Sequence, residues 1–212
     1  GHQYCVPDDN PWISPSGDNF EEYNSIGHRN PHRIVVDPLN GRMWSGEIGQ
    51  STREEINVIM TGRNYQWPYR EGLTDGVRAK PTNVIGIEQP PVIDFVRSEA
   101  RAIIGGYVYR GTKFPSLYGK YLAADYVTDN IWAITLDETT MTATKDFLTT
   151  FTPAGLGTWG QDKAGEVYLG DVFGNDALYT LNQLGAATPE PPSLLSQTGA
   201  FVDTANFELS DY

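Results

Sequence analysis

A chain of 212 residues, 39% hydrophobic and 20% charged, is long enough for one domain with a substantial core. Its net charge of −12 leaves nothing to neutralise a run of phosphates, which argues against nucleic-acid binding and equally against an anionic membrane surface. Twenty-two glycines, fourteen prolines, twelve tyrosines and five tryptophans favour short strands joined by tight turns over a helical bundle, so the fold class is all-β.

In chain order, the single cysteine, Cys5, allows no internal disulfide and reads as a buried free thiol. A loop rich in polar groups, Gly27 to Arg33, precedes a strand that ends in an aspartate and a turn, Ile34 to Gly41. Gly41-Arg42-Met43-Trp44-Ser45-Gly46-Glu47 then opens a pattern in which a glycine is followed six residues later by an acid. The pattern returns at Gly119 to Asp125 and at Gly165 to Asp171. Each occurrence is followed by another apolar run: Ile56 to Ile59, Ile131 to Leu136 and Leu178 to Leu181. Thr158 to Gly165 repeats the strand, aspartate and turn. The stretch from Arg63 to Val96 reads as an insertion, because Glu47 and Asp125 are much farther apart than Asp125 and Asp171. Ala186 to Ser193 is a proline-rich linker, and Leu194 to Tyr212 begins a further segment or domain. The last quarter is acidic and is expected to be solvated. No run of about 18 apolar residues occurs, so no membrane-spanning helix is expected.

Strand, turn, strand, loop, strand, recurring at tens of residues, is the signature of propeller blades; a tandem β-sandwich is the alternative from the repeat alone. Three or four blades cannot close a ring, so a propeller reading makes residues 1–185 a partial one, lacking an N-terminal half.

Two clusters carry candidate chemistry. In the first, His28 is either a general base or a hydrogen-bonded structural residue, and Arg29 either grips a carboxylate or pairs with a nearby acid. In the second, Glu47, Glu54 and Glu55 with Asn64 and Tyr65 suit a hard cation such as calcium, or else form a solvated acidic turn paired with Arg53 or Arg63. Zinc, haem, P-loop and dinucleotide signatures are missing.

Gly27-His28-Arg29-Asn30-Pro31, Glu47 through Ile59 and Asn64-Tyr65-Gln66-Trp67-Pro68 resemble the most characteristic stretch of the glucose/sorbosone dehydrogenase family. Pro7 to Pro11, Gly105 to Arg110 and Gly160 to Tyr168 agree with it, the last two being similar to the Hedgehog-interacting-protein-like branch. The resemblance implies a six-bladed β-propeller, of which this chain is roughly the C-terminal half. It further implies an exported protein, periplasmic or extracellular, that oxidises the anomeric carbon of an aldose with pyrroloquinoline quinone and calcium and passes electrons to an external or fused acceptor. By the same resemblance Arg29, Asn30 and Arg110 contact the cofactor, the carbonyls of Gly49 and Gln50 face its calcium, and Glu54, Glu55 and Tyr65 form a structural calcium site. The resemblance leads us to expect the base upstream of Gly1. Ile48, and Val127 to Asn130 without an arginine, depart from the quinone-binding pattern; non-catalytic binding of a carbohydrate or protein is the alternative function.

Overall fold

The computed structural model describes residues 5–12, 21–152, 154–173 and 177–182 in full, together with the backbone of residues 201–203 and 208–209. The first blade is an antiparallel sheet of β1 (Pro31–Val36), β2 (Met43–Glu47), β3 (Arg53–Ile59) and, after four short strands, an outer β8 (Ile93–Val96). The short strands are β4 (Arg63–Asn64), β5 (Arg70–Glu71), β6 (Thr74–Asp75) and β7 (Ile87–Glu88). The second blade is the meander β9 (Ile103–Val108), β10 (Tyr121–Asp125), β11 (Asn130–Asp137) and β12 (Thr142–Thr150). The third contains β13 (Leu156–Gln161), β14 (Val167–Asp171) and β15 (Leu178–Thr180). Beyond them β16 (Phe201–Asp203) pairs with β17 (Glu208–Leu209). The proline-rich linker at 186–193 lies outside the described residues.

The repeated glycine and acid now have a structural meaning. Gly41, Gly119 and Gly165 close the turn before β2, β10 and β14 with φ of 72°, 85° and 81°, a left-handed conformation that suits glycine. Glu47, Asp125 and Asp171 are the last residues of those same strands, and all three are buried.

The middle blade settles sandwich against propeller. Along β9 and β10 successive side chains alternate between faces: Ile103, Tyr121 and Ala123 join a core with Val35, Trp44, Ile56 and Phe95 of the first blade. Ile104, Leu122 and Ala124 join another with Leu156, Trp159 and Leu169 of the third. A sheet buried on both faces by neighbouring sheets is a radial stack, which a two-layer sandwich does not provide. Trp44 stacks on Tyr121 at 4.8 Å and Phe95 meets Trp132 at 4.9 Å, so aromatic pairs fill the wide outer part of the first interface. Nearer the inner strands Gly46 lies against Gly105, where a Cβ would approach the Gly105 backbone to 2.4 Å.

Three expectations are corrected here. Cys5 is exposed, in a stretch from Cys5 to Trp12 that contains no buried residue. Of the acids expected to be solvated, Glu166 and Asp171 are buried, Glu166 accepting from the Tyr109 hydroxyl at 2.7 Å and from the amides of Thr112 and Lys113. The insertion is shorter than Arg63 to Val96, since β8 at its end is the fourth strand of the first blade.

Candidate functional site

The loops preceding the inner strand and following β2 meet at one end of the first blade. The amide of Ile48 donates to the carbonyl of Asn30 at 3.0 Å, and the amide of Arg29 donates to Glu47. Gly27 fits between Asn64, Tyr65 and Gln66, where a Cβ would lie 2.1 Å from the Asn64 side-chain oxygen. The amides of Tyr65 and Trp67 donate to Ile26 and Gly27.

Among the described residues the Arg29 guanidinium meets no acid. Its Nη1 donates to the Ile48 carbonyl at 2.8 Å, its Nε and Nη2 to Gln50 Oε1 at 3.0 and 2.7 Å, and its guanidinium lies 5.5 Å from the Trp67 ring centroid. A guanidinium stacked on an aromatic and held by neutral acceptors keeps its charge uncompensated, which suits it to an anionic ligand. The Asn30 side chain is exposed, and the carbonyls of Gly49 and Gln50 accept no hydrogen bond among the described residues.

His28 is a structural residue held on three sides. Its Nδ1 is 3.0 Å from Glu47 Oε2, its Nε2 is 2.9 Å from Ser25 Oγ, and its ring stacks on Tyr65 at 4.5 Å. The Tyr65 hydroxyl donates to the Val58 carbonyl at 2.5 Å and accepts from the Met60 amide, and burial pushes its pKa up to about 12. Its backbone carbonyl accepts no hydrogen bond among the described residues.

Glu54 and Glu55 do not converge. Adjacent residues of a strand point to opposite faces, and here Glu54 turns toward the second blade while Glu55 turns away from it. Glu54 accepts from the amides of Gly49 at 3.3 Å and Ile103 at 3.0 Å and pairs with Arg97; burial pushes its carboxyl up. Asp129 does the same between the second and third blades, accepting from the amides of Gly155 at 2.9 Å and Leu156 at 2.8 Å. Glu54 thus latches the first blade to the second, on the face opposite Glu55.

Glu55 sits directly opposite Glu47 across β2 and β3, with the Asn57 amide nitrogen 3.3 Å from one and 3.1 Å from the other. Burial, then the Glu47 charge, push the Glu55 carboxyl up to about 7. The Asn57 side-chain oxygen is buried with no hydrogen-bond partner. Two buried carboxyls, an orphaned amide oxygen and a free Tyr65 carbonyl are the oxygen-only donors a hard cation takes, so these residues fit calcium. Among the described residues no three His, Cys, Asp or Glu side chains form a metal-holding group, so such a site draws on carbonyl and amide oxygens. The solvated acidic turn is ruled out: Glu47, Glu54 and Glu55 are 3, 0 and 8% exposed, and Arg53 pairs with Asp94 instead.

Arg110 is elsewhere. It follows β9, whose first residue lies at the Glu54 end, so six residues at ~3.3 Å each carry it ~20 Å to the opposite end. There it binds Asp37 bidentately at 2.9 and 2.5 Å and lies over Tyr118. Despite its burial, Asp37 is held below the usual carboxylate range by that guanidinium. Thr128 and the Asn130 amide donate to the Glu99 carbonyl, so the loop at 127–130 adds no cation.

Arg33 was passed over in the sequence. From β1 it donates to the Tyr107 hydroxyl at 3.1 Å and to Thr158 Oγ1 at 2.9 Å, tying the inner strands of all three blades. An arginine between polar and apolar strand residues carries no local motif, and only the stacking of blades reveals it.

A family model described as Glucose / Sorbosone dehydrogenase matches residues 3–170. An aldose sugar dehydrogenase of Escherichia coli is 36% identical over 118 residues, covering 52% of this chain and 30% of the relative. The structure of the soluble aldose sugar dehydrogenase from the same species, in the apo-form, superposes with a TM-score of 0.61 at 23% identity, covering 77% of this chain and 47% of that one. The HIPL2 protein of Arabidopsis thaliana is 31% identical over 141 residues, 61% of this chain and 20% of the relative. The PQQ-bound aldose sugar dehydrogenase of Streptomyces coelicolor superposes with a TM-score of 0.56 at 24% identity, covering 78% and 42%. The chain therefore spans about half or less of the length of the proteins it matches.

Proposed function

This chain belongs to the glucose/sorbosone dehydrogenase family, and from that premise we propose that its parent protein oxidises the anomeric carbon of an aldose with pyrroloquinoline quinone and calcium. The observation that carries this reading is Arg29, an uncompensated guanidinium above Trp67 beside the free carbonyls of Gly49 and Gln50. When bound, the quinone supplies a two-electron acceptor for hydride from the sugar. Arg29 would hold one of its carboxylates, with the exposed Asn30 amide beside it. The Gly49 and Gln50 carbonyls would face a calcium ion there, and Glu55, Asn57 and the Tyr65 carbonyl would hold a second, structural ion. Glu47 fixes the Arg29 backbone and His28 together, so that the guanidinium is presented in one position. The proposed setting is an exported protein whose electrons pass to an external or fused acceptor.

A second reading has its own support. Among the described residues this end offers a tricarboxylate Arg29, whereas Arg110 is remote and residues 127–130 carry no cation; each missing partner weakens binding by several kcal/mol unless another is supplied. The alternative is a calcium-stabilised propeller that binds a carbohydrate or protein partner without redox chemistry. The test is reconstitution of the full-length protein with quinone and calcium, following dye reduction across an aldose panel. Turnover supports the first reading; no turnover together with no quinone binding by titration supports the second.

A further inference from the structure

At the end of the blades opposite Arg29, the β1–β2 turn, the β9–β10 turn and the last residues of β11 border a cavity of about 330 Å³. Asp37, Arg42, Trp44, Arg110, Tyr118 and Lys120 line it, so it lies in the crevice between the first and second blades. Its charges balance one another. Arg110 is committed to Asp37, whose carboxylate also accepts from the Leu39 amide at 3.2 Å. Arg42 pairs with Glu138 at 2.8 Å and Lys120 with Asp146 at 3.0 Å, and both of those acids are exposed. Three cations are thus matched by three acids. Hydrogen-bonding capacity is nevertheless left over: Arg42 and Lys120 carry more N–H groups than their partners take, Glu138 keeps an oxygen, and Asn40 at the rim keeps its amide nitrogen.

Two aromatic side chains add to this. Trp44 is 3% exposed, yet its indole N–H has no hydrogen-bond partner among the described residues. A buried donor without an acceptor calls for one from outside the chain. Tyr118 is 53% exposed, and the Arg110 guanidinium 5.1 Å from its ring centroid holds the ring as a platform. A phosphate or carboxylate would meet the cations but be repelled by Asp37 and Glu138, and an ammonium would meet the reverse. An apolar ligand would strip the polar wall of water and return no hydrogen bonds. Hydroxyl groups donate and accept at once, which suits a wall of mixed sign. A pyranose carries them at its rim, with C–H groups that pack on the electron-rich face of a tyrosine. The volume is at the lower end of the range for small-molecule sites, roughly 300–1,000 Å³.

We propose that this interblade cavity binds a small neutral carbohydrate. Tyr118 lies under the sugar ring, Asn40, Arg42 and Glu138 bind its hydroxyls, and the Trp44 indole donates to a hydroxyl oxygen at the floor. The inference is independent of the redox reading, since none of these residues belongs to the Arg29 end.

The test titrates methyl glucoside into the full-length protein by calorimetry, with gluconate and inorganic phosphate as charged controls. The anomeric carbon of the glucoside is capped, so the probe is bound without being oxidised. The glucoside binds, and the two anions do not. Tyr118→Ala and Arg42→Ala each weaken it about tenfold, a loss of two or three contacts, while Arg29→Ala leaves it unchanged. Tyr118 is a surface residue, and its variant keeps the melting temperature of the unaltered protein. The indole N–H resonance of Trp44, assigned by its loss in Trp44→Phe, shifts as the glucoside is added and stays in place in Tyr118→Ala. No binding of the glucoside, or equal or tighter binding of gluconate or phosphate, overturns the proposal. Full affinity in both Tyr118→Ala and Arg42→Ala, or an unmoved Trp44 resonance, does the same. Loss of binding in Arg29→Ala also overturns it, because the glucoside then sits at the other end of the blade.

Discussion

Glu55 titrates near 7 because it is buried opposite a second carboxylate, and that has a measurable consequence in the metal-free protein. The unfolded chain releases this proton near the ordinary glutamate value of 4.5, while the folded chain keeps it until about 7. Stability therefore falls as pH rises across that window, by about 3 kcal/mol, and is flat above it. Denaturant melts with chelator between pH 4 and 8 should show that slope, and Glu55→Gln should remove it. Calcium reverses the trend, since the ion needs the carboxylate: added calcium should stabilise more at pH 8 than at pH 5. The sequence located this acidic pair but gave both members one role, because one-dimensional adjacency hides the fact that neighbours on a strand look in opposite directions. Arg29, Asn30, Gly49 and Gln50 were legible as a cluster because two short loops bring them together. Arg110 was not, since its position depends on which end of an inner strand it follows.

The elements are held to one another by two devices, one steric and one polar. Where β2 of the first blade crosses β9 of the second, Gly46 permits backbone contact. Gly46→Ala should separate the sheets and cost about 1–3 kcal/mol, read as a lower denaturation midpoint with an unchanged slope. The polar device is the carboxylate latch. Glu54→Ala or Asp129→Ala leaves two buried amides unpaired in each case, and each should destabilise by about 1–3 kcal/mol. If Glu54 served a calcium ion instead, its loss would abolish calcium stabilisation; as a latch residue it should leave the calcium response intact, which thermal melts with and without calcium will separate. The glycine-to-acid repeat made the strands readable, because turn closure and strand ending are local events. The latches were not readable, because Glu54 and Asp129 differ in residue type and in spacing from the repeated acid, and their partners lie in the next blade.

At the scale of the whole molecule, three radially stacked sheets and two aromatic interfaces account for the all-β composition and its tryptophans and tyrosines. Chelation of the full-length protein should lower its melting temperature by several degrees if the Glu55 ion is structural, and differential scanning calorimetry will show no shift if it is not. The latches also impose a direction. Glu54 closes on an amide 49 residues later and Asp129 on amides 26 and 27 residues later, so the first and second blades are each fastened by the chain that comes after them. During synthesis the first sheet is complete before Ile103 emerges, with the Glu54 carboxylate held only by Gly49 and Arg97 until the following inner strand supplies its second amide. A chain truncated after Val96 should therefore melt lower than one that includes Ile103, because the amide that completes the Glu54 latch is then missing.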